Sequence, residues 1–236
     1  MDEQAKYAAL HNWFLSPQGQ GVAAAFRMQL QDSQATIRGD SLLQLGVCGE
    51  NGWLKALDFR YKWFVSPSPI PGRGVVYASP HNLPFERSSV DCIVAPFSIE
   101  ATADKVDLLE EIDRVLSPMG HLIFLGVNPV SLWGLSLWLR RLSCFGGSSV
   151  SLRSALWVKH ALSLRGYQPS ELMSFYYIPP VIQQSWIERL EFLNQMGKMI
   201  RPFPTGFYCL IMQKREVDQT RIAPELLKSN FNFARV

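Results

Sequence analysis

Apolar positions recur at helical spacing over residues 4 to 15 and again over 20 to 31, with Ser16-Pro17 and glycines between them, which predicts a pair of helices ahead of the core. The period then changes. SLLQLGV (41–47), YKWFV (61–65), GVVYA (74–78) and VDCIVAP (90–96) are short β-rich runs bounded by turn residues, the pattern of buried parallel strands. In ADKVDLLEEIDRVL, Val106, Leu109, Ile112, Val115 and Leu116 fall at helical spacing with acids on the other face, and SPMG closes that helix. HLIFLGV (121–127) makes a fifth strand, so the centre reads strand, helix, strand, the crossover unit of a parallel sheet. A further amphipathic helix over 151–165 ends at Gly166. YQPSELMSFYY then runs extended toward Pro179-Pro180, and TGFYCLIMQKR (205–215) is the last strand. With a loop and a helical excursion between them, the two late strands are expected to pair antiparallel at the sheet edge. The class is α/β.

Composition does not break this plan in half. Of the 236 residues 47% are hydrophobic and 18% charged, enough apolar mass for a sizeable core. Residues 1–215 therefore read as a single domain, with N-terminal helices in 1–35 and a cap segment at 129–150, followed by a more polar tail at 216–236. The net charge of +3 comes from 23 basic and 20 acidic residues with no basic block, so it leaves no footprint for nucleic acid. Cysteines 48, 92, 144 and 209 lack CxxC spacing and mostly sit in strand-like runs. They read as reduced thiols of a cytoplasmic protein, without disulfides or zinc. MDEQAKYAALHNWF opens with acids and carries no secretory pattern. The apolar tract Leu122 to Leu139 is cut by Asn128-Pro129 and Gly134, and divides into a strand and a short helix rather than a membrane span.

The first strand climbs through LLQLGVCGENGW into Gly46, Gly49 and Gly52. A glycine there turns the backbone tightly and lets it approach a bulky ligand, although glycines alone serve equally for a bare strand-to-helix turn. The spacing G-x-x-G-x-x-G departs from the dinucleotide fingerprint, and the place about 20 residues on, where a ribose-binding acid would stand, is Ser66. Nicotinamide chemistry is thus the weakest reading.

LLQLGVCGENGW, then LPF, VDCIV and EEIDRVLSPMGHLIF, resemble the core of class I S-adenosylmethionine-dependent methyltransferases of the kind that act on small molecules, over roughly residues 41 to 128. NPVSLWGL, YIPP and GFYCLIMQKR are similar to a bacterial subgroup of that family with little assigned chemistry. The resemblance implies a Rossmann-like seven-stranded sheet of order 3-2-1-4-5-7-6 with the seventh strand antiparallel. It places S-adenosylmethionine at the carboxyl ends of strands one to four, against Gln44, Gly46, Val47, Cys48, Ser66, Ser79, Pro80, Ala95 and Pro96. Where relatives carry acids, two residues before the first glycine and at the ends of strands two and three, this chain has Gln44, Ser66 and Ser79. A neutral acceptor in place of a charged one forfeits ~1 kcal/mol or more per contact, so the cofactor is expected to be weakly held or lost. SPSPIPGRG (66–74) holds three prolines where relatives have a helix, leaving an extended loop beside the adenosine site.

Methyl transfer from a sulfonium is an in-line displacement needing alignment and a dry site rather than a fixed triad. His81, Glu100 and His160 are the candidate proton acceptors. Against each stands a plainer role: His81 in the adenine loop, Glu100 as a cap or ion-pair partner of the next helix, His160 as a surface or packing residue. Asn128-Pro129 follows strand five, not strand four, and so does not match the amide-holding motif of amino methyltransferases. SLWGLSLWLRRL (131–142) is expected to be a cap helix packed on the core. Its alternative is an amphipathic lid over an apolar substrate or a contact with a membrane surface. The aromatic residues at 175–177 complete an apolar cavity or fill the sheet edge. The function these residues favour is a methyltransferase acting on a small, apolar molecule. The alternative is a methyltransferase-fold module that has lost catalysis and serves interaction or regulation.

Overall fold

The computed structural model describes residues 3–33, 36–70, 72, 74–142, 144–148, 150–181, 183–200 and 204–215. The polar tail read at 216–236 lies outside them. Seven strands form one sheet: β1 Ser41–Leu45, β2 Tyr61–Ser66, β3 Val75–Tyr77, β4 Val90–Pro96, β5 Leu116–Val127, β6 Tyr167–Phe175 and β7 Phe207–Lys214. Their order is β3-β2-β1-β4-β5-β7-β6, as the resemblance implies. β1 to β5 pair in parallel, and β7 runs antiparallel to both β5 and β6.

The strands are apolar on both faces because both are covered. Leu42, Cys92, Val94, Ile123, Leu125 and Cys209 join one core, and their immediate neighbours Leu43, Ile93, Leu122, Phe124 and Leu210 join the other. The first core is closed by helices α1 Glu3–Phe14 and α2 Pro17–Ser33 and by the 3-10 turn Gly52–Ala56. The second is closed by α4 Lys105–Val115 and α6 Ala155–Ser163, while the four-residue α3 Ser98–Ala101 connects β4 toward α4. Helix α5 Leu132–Trp138 follows β5, and α7 Gln184–Ile200 lies between the two late strands.

Two details of the hydrophobic pattern come out differently. Val106, expected on the inner face of α4, is exposed, and the buried row is Lys105, Leu108, Leu109, Ile112 and Val115. Asp104 caps the helix, its side chain accepting hydrogen bonds from the amides of Val106 and Asp107. SPMG, read as the stop of that helix, is already inside β5, which begins where α4 ends. In line with the proline-rich sequence, the described residues of 67–74 form no helix.

The LPF segment is held by α4. Arg114 donates to the carbonyls of Leu83 and Phe85 at 2.9 Å each and pairs with Glu111, which in turn accepts from the Leu83 amide at 2.6 Å. The Arg114 guanidinium holds the Glu111 carboxyl below its usual range. These bonds account for LPF and EEIDR occurring together in one chain: the second motif is the clamp on the first.

At the amino end of the sheet Asp91 ties β1 to β4. One of its oxygens accepts from the amides of Asp40 and Ser41 and from the Ser41 hydroxyl, at 2.9–3.0 Å. Partial burial pushes the Asp91 carboxyl up, but these hydrogen bonds outweigh it and its pKa is lowered. The contribution of the carboxylate is therefore complete above the ordinary aspartate range and is lost as pH falls through the depressed value. Asp91→Ala should lower stability at pH 7 by about 1–2 kcal/mol, with the gap to the parent closing below about pH 4 in urea titrations.

Candidate functional site

The carboxyl ends of β1, β2 and β4 bring several of the expected residues together. Gln44 stands opposite Phe64 of β2 and Val94 of β4, and the Gly46 amide donates to the Val65 carbonyl at 2.6 Å. Ser66 closes β2, and Ala95 and Pro96 close β4. Ser79 and Pro80 lie past the end of β3, farther along the edge.

The polar groups of this crevice already have partners. Gln44 is fully buried; its amide nitrogen donates to the Gly46 carbonyl at 2.8 Å and to Asn51 Oδ1 at 2.7 Å, while its oxygen accepts from the Trp53 indole at 2.9 Å. Asn51 Oδ1 also accepts from the Cys48 amide, and its own backbone is left-handed at φ 50°. Val47 and Cys48 are buried, and burial pushes the Cys48 thiol up. The Ser66 hydroxyl donates to the Ser68 carbonyl and accepts from the Ser68 amide, and Ser79 Oγ accepts from the His81 amide. The loop from β1 is thus organised by an amide side chain, and each of its atoms is engaged inside the protein.

The opening that Gly46 provides is filled as well. Its φ is +86°, a conformation glycine adopts without strain, and a Cβ there would stand 2.7 Å from the ring of Tyr7. Tyr7 belongs to α1, which lies across the carboxyl edge of the sheet. Glu3 pins its start through Thr102 at 3.1 Å and His81 at 3.2 Å. His81 also comes within 2.9 Å of Asp107, so the histidine expected beside the adenine serves as an α1 anchor. Tyr7 thus covers Gly46 itself, while an open cavity of about 590 Å³ borders the same loop at Phe14, Cys48, Glu50, Asn51 and Gly52.

Beyond Tyr7, α1 contributes Leu10, Trp13 and Phe14 to an aromatic cluster. Phe97, held at φ 52° directly after β4, packs against Trp13, Phe14, Phe145 and Phe207 at ring separations of 5.7–6.2 Å. Trp133 of α5 packs on Phe207 at 4.8 Å and donates to the Ile178 carbonyl. Phe175 and Tyr176, the late aromatics, join the same cluster. A residual cavity of about 10 Å³ remains among Phe97, Val127, Cys144, Phe145 and their neighbours, the room of about one water.

Glu100 reaches the lining of this cavity through Val127. It is 1% exposed; Oε1 accepts from the Val127 amide at 3.1 Å, tying the exit of β4 to the exit of β5, and Oε2 has no hydrogen-bond partner among the described residues. The cap role expected for it belongs instead to Asp104. The hydroxyls of Tyr7 and Ser98 are buried close to each other. Burial raises the Glu100 carboxyl from 4.5 to about 7, against the opposing pull of the Val127 amide and Lys105. His160 is exposed on α6, the surface role expected for it.

Sequence reasoning did not single out Tyr7, Asn51, Trp53, Phe97 or Ser98. Asn51-Gly52 is a local turn signal that could have drawn attention to Asn51. Nothing near Tyr7 or Phe97 in the chain announces what they pack against.

Residues 65–124 match a family model described as a methyltransferase domain. An uncharacterized protein of Escherichia coli K12, YafS, is 29% identical over 171 residues, covering 71% of this chain and 69% of its own. Among solved structures, the chain assigned as a methyltransferase in a complex with the Trm112 methyltransferase activator of Haloferax volcanii superposes with a TM-score of 0.60. It is 17% identical, over 87% of this chain and 97% of that one. An S-adenosylmethionine-dependent methyltransferase of Thermotoga maritima gives 0.60 at 16% identity, over 86% and 94%. The resemblance drawn from residues 41–128 thus holds at the level of the fold: the chain has the fold of class I S-adenosylmethionine-dependent methyltransferases.

Two changes probe this site. Gln44→Glu replaces a double donor with an acceptor facing the Gly46 carbonyl and Asn51 Oδ1. It should cost about 2–3 kcal/mol in the urea midpoint rather than restore a cofactor grip. Glu100→Gln keeps the oxygen that accepts from Val127 and removes the charge. Because the folded carboxyl titrates near 7 and the unfolded one near 4.5, its share of stability is full below pH 4.5 and is lost as pH rises through 7. The variant should therefore exceed the parent by on the order of 3 kcal/mol at pH 8, with the two converging toward pH 4.5.

Proposed function

We propose that this chain is an S-adenosylmethionine-dependent methyltransferase acting on a small apolar molecule, and that helix α1 must leave the Gly46 loop for the cofactor to enter. The observation that carries the reading is the lining at the ends of β4 and β5. Aromatic rings close over these strand ends, and Glu100, bonded to the Val127 amide among them, is a buried carboxyl whose second oxygen has no hydrogen-bond partner among the described residues. The fold and the methyltransferase-domain match support the donor, which supplies an electrophilic methyl group when bound. The chain's own residues supply the rest. Phe97, Phe145, Trp133 and Phe207 exclude water and suit an apolar acceptor. Glu100 Oε2, titrating near 7, is matched to take a proton from an acceptor hydroxyl or amine.

A second reading is favoured by the use of every polar atom of Gln44 inside the loop: the crevice stays shut and the chain is a methyltransferase-fold module for interaction or regulation. Calorimetric titration with S-adenosylhomocysteine separates the two. The methyltransferase reading expects saturable heat with the parent. Affinity should be roughly tenfold or more higher in Glu3→Gln, which frees the start of α1, or in Tyr7→Ala where circular dichroism shows that variant folded. No heat at millimolar ligand from any folded form would leave the second reading standing.

A further inference from the structure

We propose that the outward face of α5 and the chain that follows it docks on an anionic phospholipid surface. Helix α5 has two apolar faces. Trp133 and Leu137 enter the core, whereas Leu132, Leu135, Trp138 and Leu139 face solvent together with Val130 just before the helix. Val130 and Trp138 are 77% and 76% exposed, which a helix serving only as a packed cap would not require. An open groove of about 980 Å³ runs along this face, lined by Pro129, Val130, Leu132, Leu135, Trp138 and Leu152, and is wide enough to take an acyl chain.

The charge around this ridge selects the occupant. Arg140 and Arg141 follow Leu139 directly, and the sequence holds no acidic residue between Asp113 and Glu171. Both arginines are exposed and enter no ion pair among the described residues. A second copy of this chain is a poor occupant, because pairing the ridge with itself would set these arginines against each other with no acid in the segment to answer them. A bilayer with anionic headgroups satisfies both halves. Tryptophan and leucine seat at the boundary between headgroups and acyl chains, and the adjoining arginines meet the phosphates. No helix among the described residues is long and apolar enough to cross a membrane, so the contact is peripheral.

Co-sedimentation of the full chain with phosphatidylcholine vesicles, with and without phosphatidylglycerol, tests the proposal. Binding should occur to the anionic vesicles and weaken with salt. Arg140→Glu with Arg141→Glu should lose tenfold or more, and Leu135→Ser with Trp138→Ser should remove most of the rest. Melting temperatures should stay near the parent's, since these side chains are exposed. Three results would overturn it: no binding to anionic vesicles, equal binding by the substituted chains, or a parent dimer in light scattering that Leu135→Ser with Trp138→Ser dissociates. Vesicle binding needs no cofactor, so its failure and a failure of methyl transfer are read separately.

Discussion

The contact between the Tyr7 ring and the bare Cα of Gly46 is the constraint on which the state of this molecule depends. It exists because position 46 has no side chain, and it seats the whole of α1 across the carboxyl edge of the sheet. Once α1 is there, Trp13 and Phe14 reach Phe97, Phe97 reaches Phe207, and Trp133 brings α5 down onto the same cluster. Gly46 here admits a helix.

The polar chemistry follows the same logic. A carboxylate at position 44 would only accept hydrogen bonds, which suits a ligand that donates. The amide of Gln44 accepts once and donates twice, which suits a loop whose carbonyls and Asn51 need donors. The amide of Gln44 is in this way a loop-organising group. Glu100 is the reverse case, a charge-capable group retained in an apolar surrounding with half of its acceptor capacity unused. Such an arrangement costs stability above neutral pH, and buried carboxyls of this kind concentrate where chemistry is done.

Much of the fold was legible in the chain. The two periods of apolar spacing separated helices from strands, and the crossover at VDCIV, EEIDRVL and HLIFLGV gave the parallel sheet. The limits lie in the phase of a helix: α4 buries Lys105 together with Leu108, Leu109, Ile112 and Val115 and leaves Val106 outside. The site was legible as a place rather than as a set of bonds. Gln44, Gly46 and Ser66 do lie on neighbouring strand ends, yet their partners, Trp53, Tyr7 and Ser68, range from two to 39 positions away in the chain. The cap segment shows the same division. Its composition announced both a core helix and an apolar surface, and it is both, one on each side of α5.

By itself the sequence determined the α/β class, the strand order that a known family implies, the absence of a helix in the proline-rich loop, and the neutral residues at three places where relatives carry acids. Those are properties of local pattern and residue type, which survive in one dimension. Only the tertiary structure decided that α1 fills the space above Gly46, that Gln44 is spent on its own loop, and that Glu100 bonds the end of β5 with one oxygen left over. The first and last are encounters between segments far apart in the chain and the second is a set of bonds within one loop, and which of them forms is settled by close packing and by the need of each buried donor for an acceptor. Neither of those can be counted until the chain is folded.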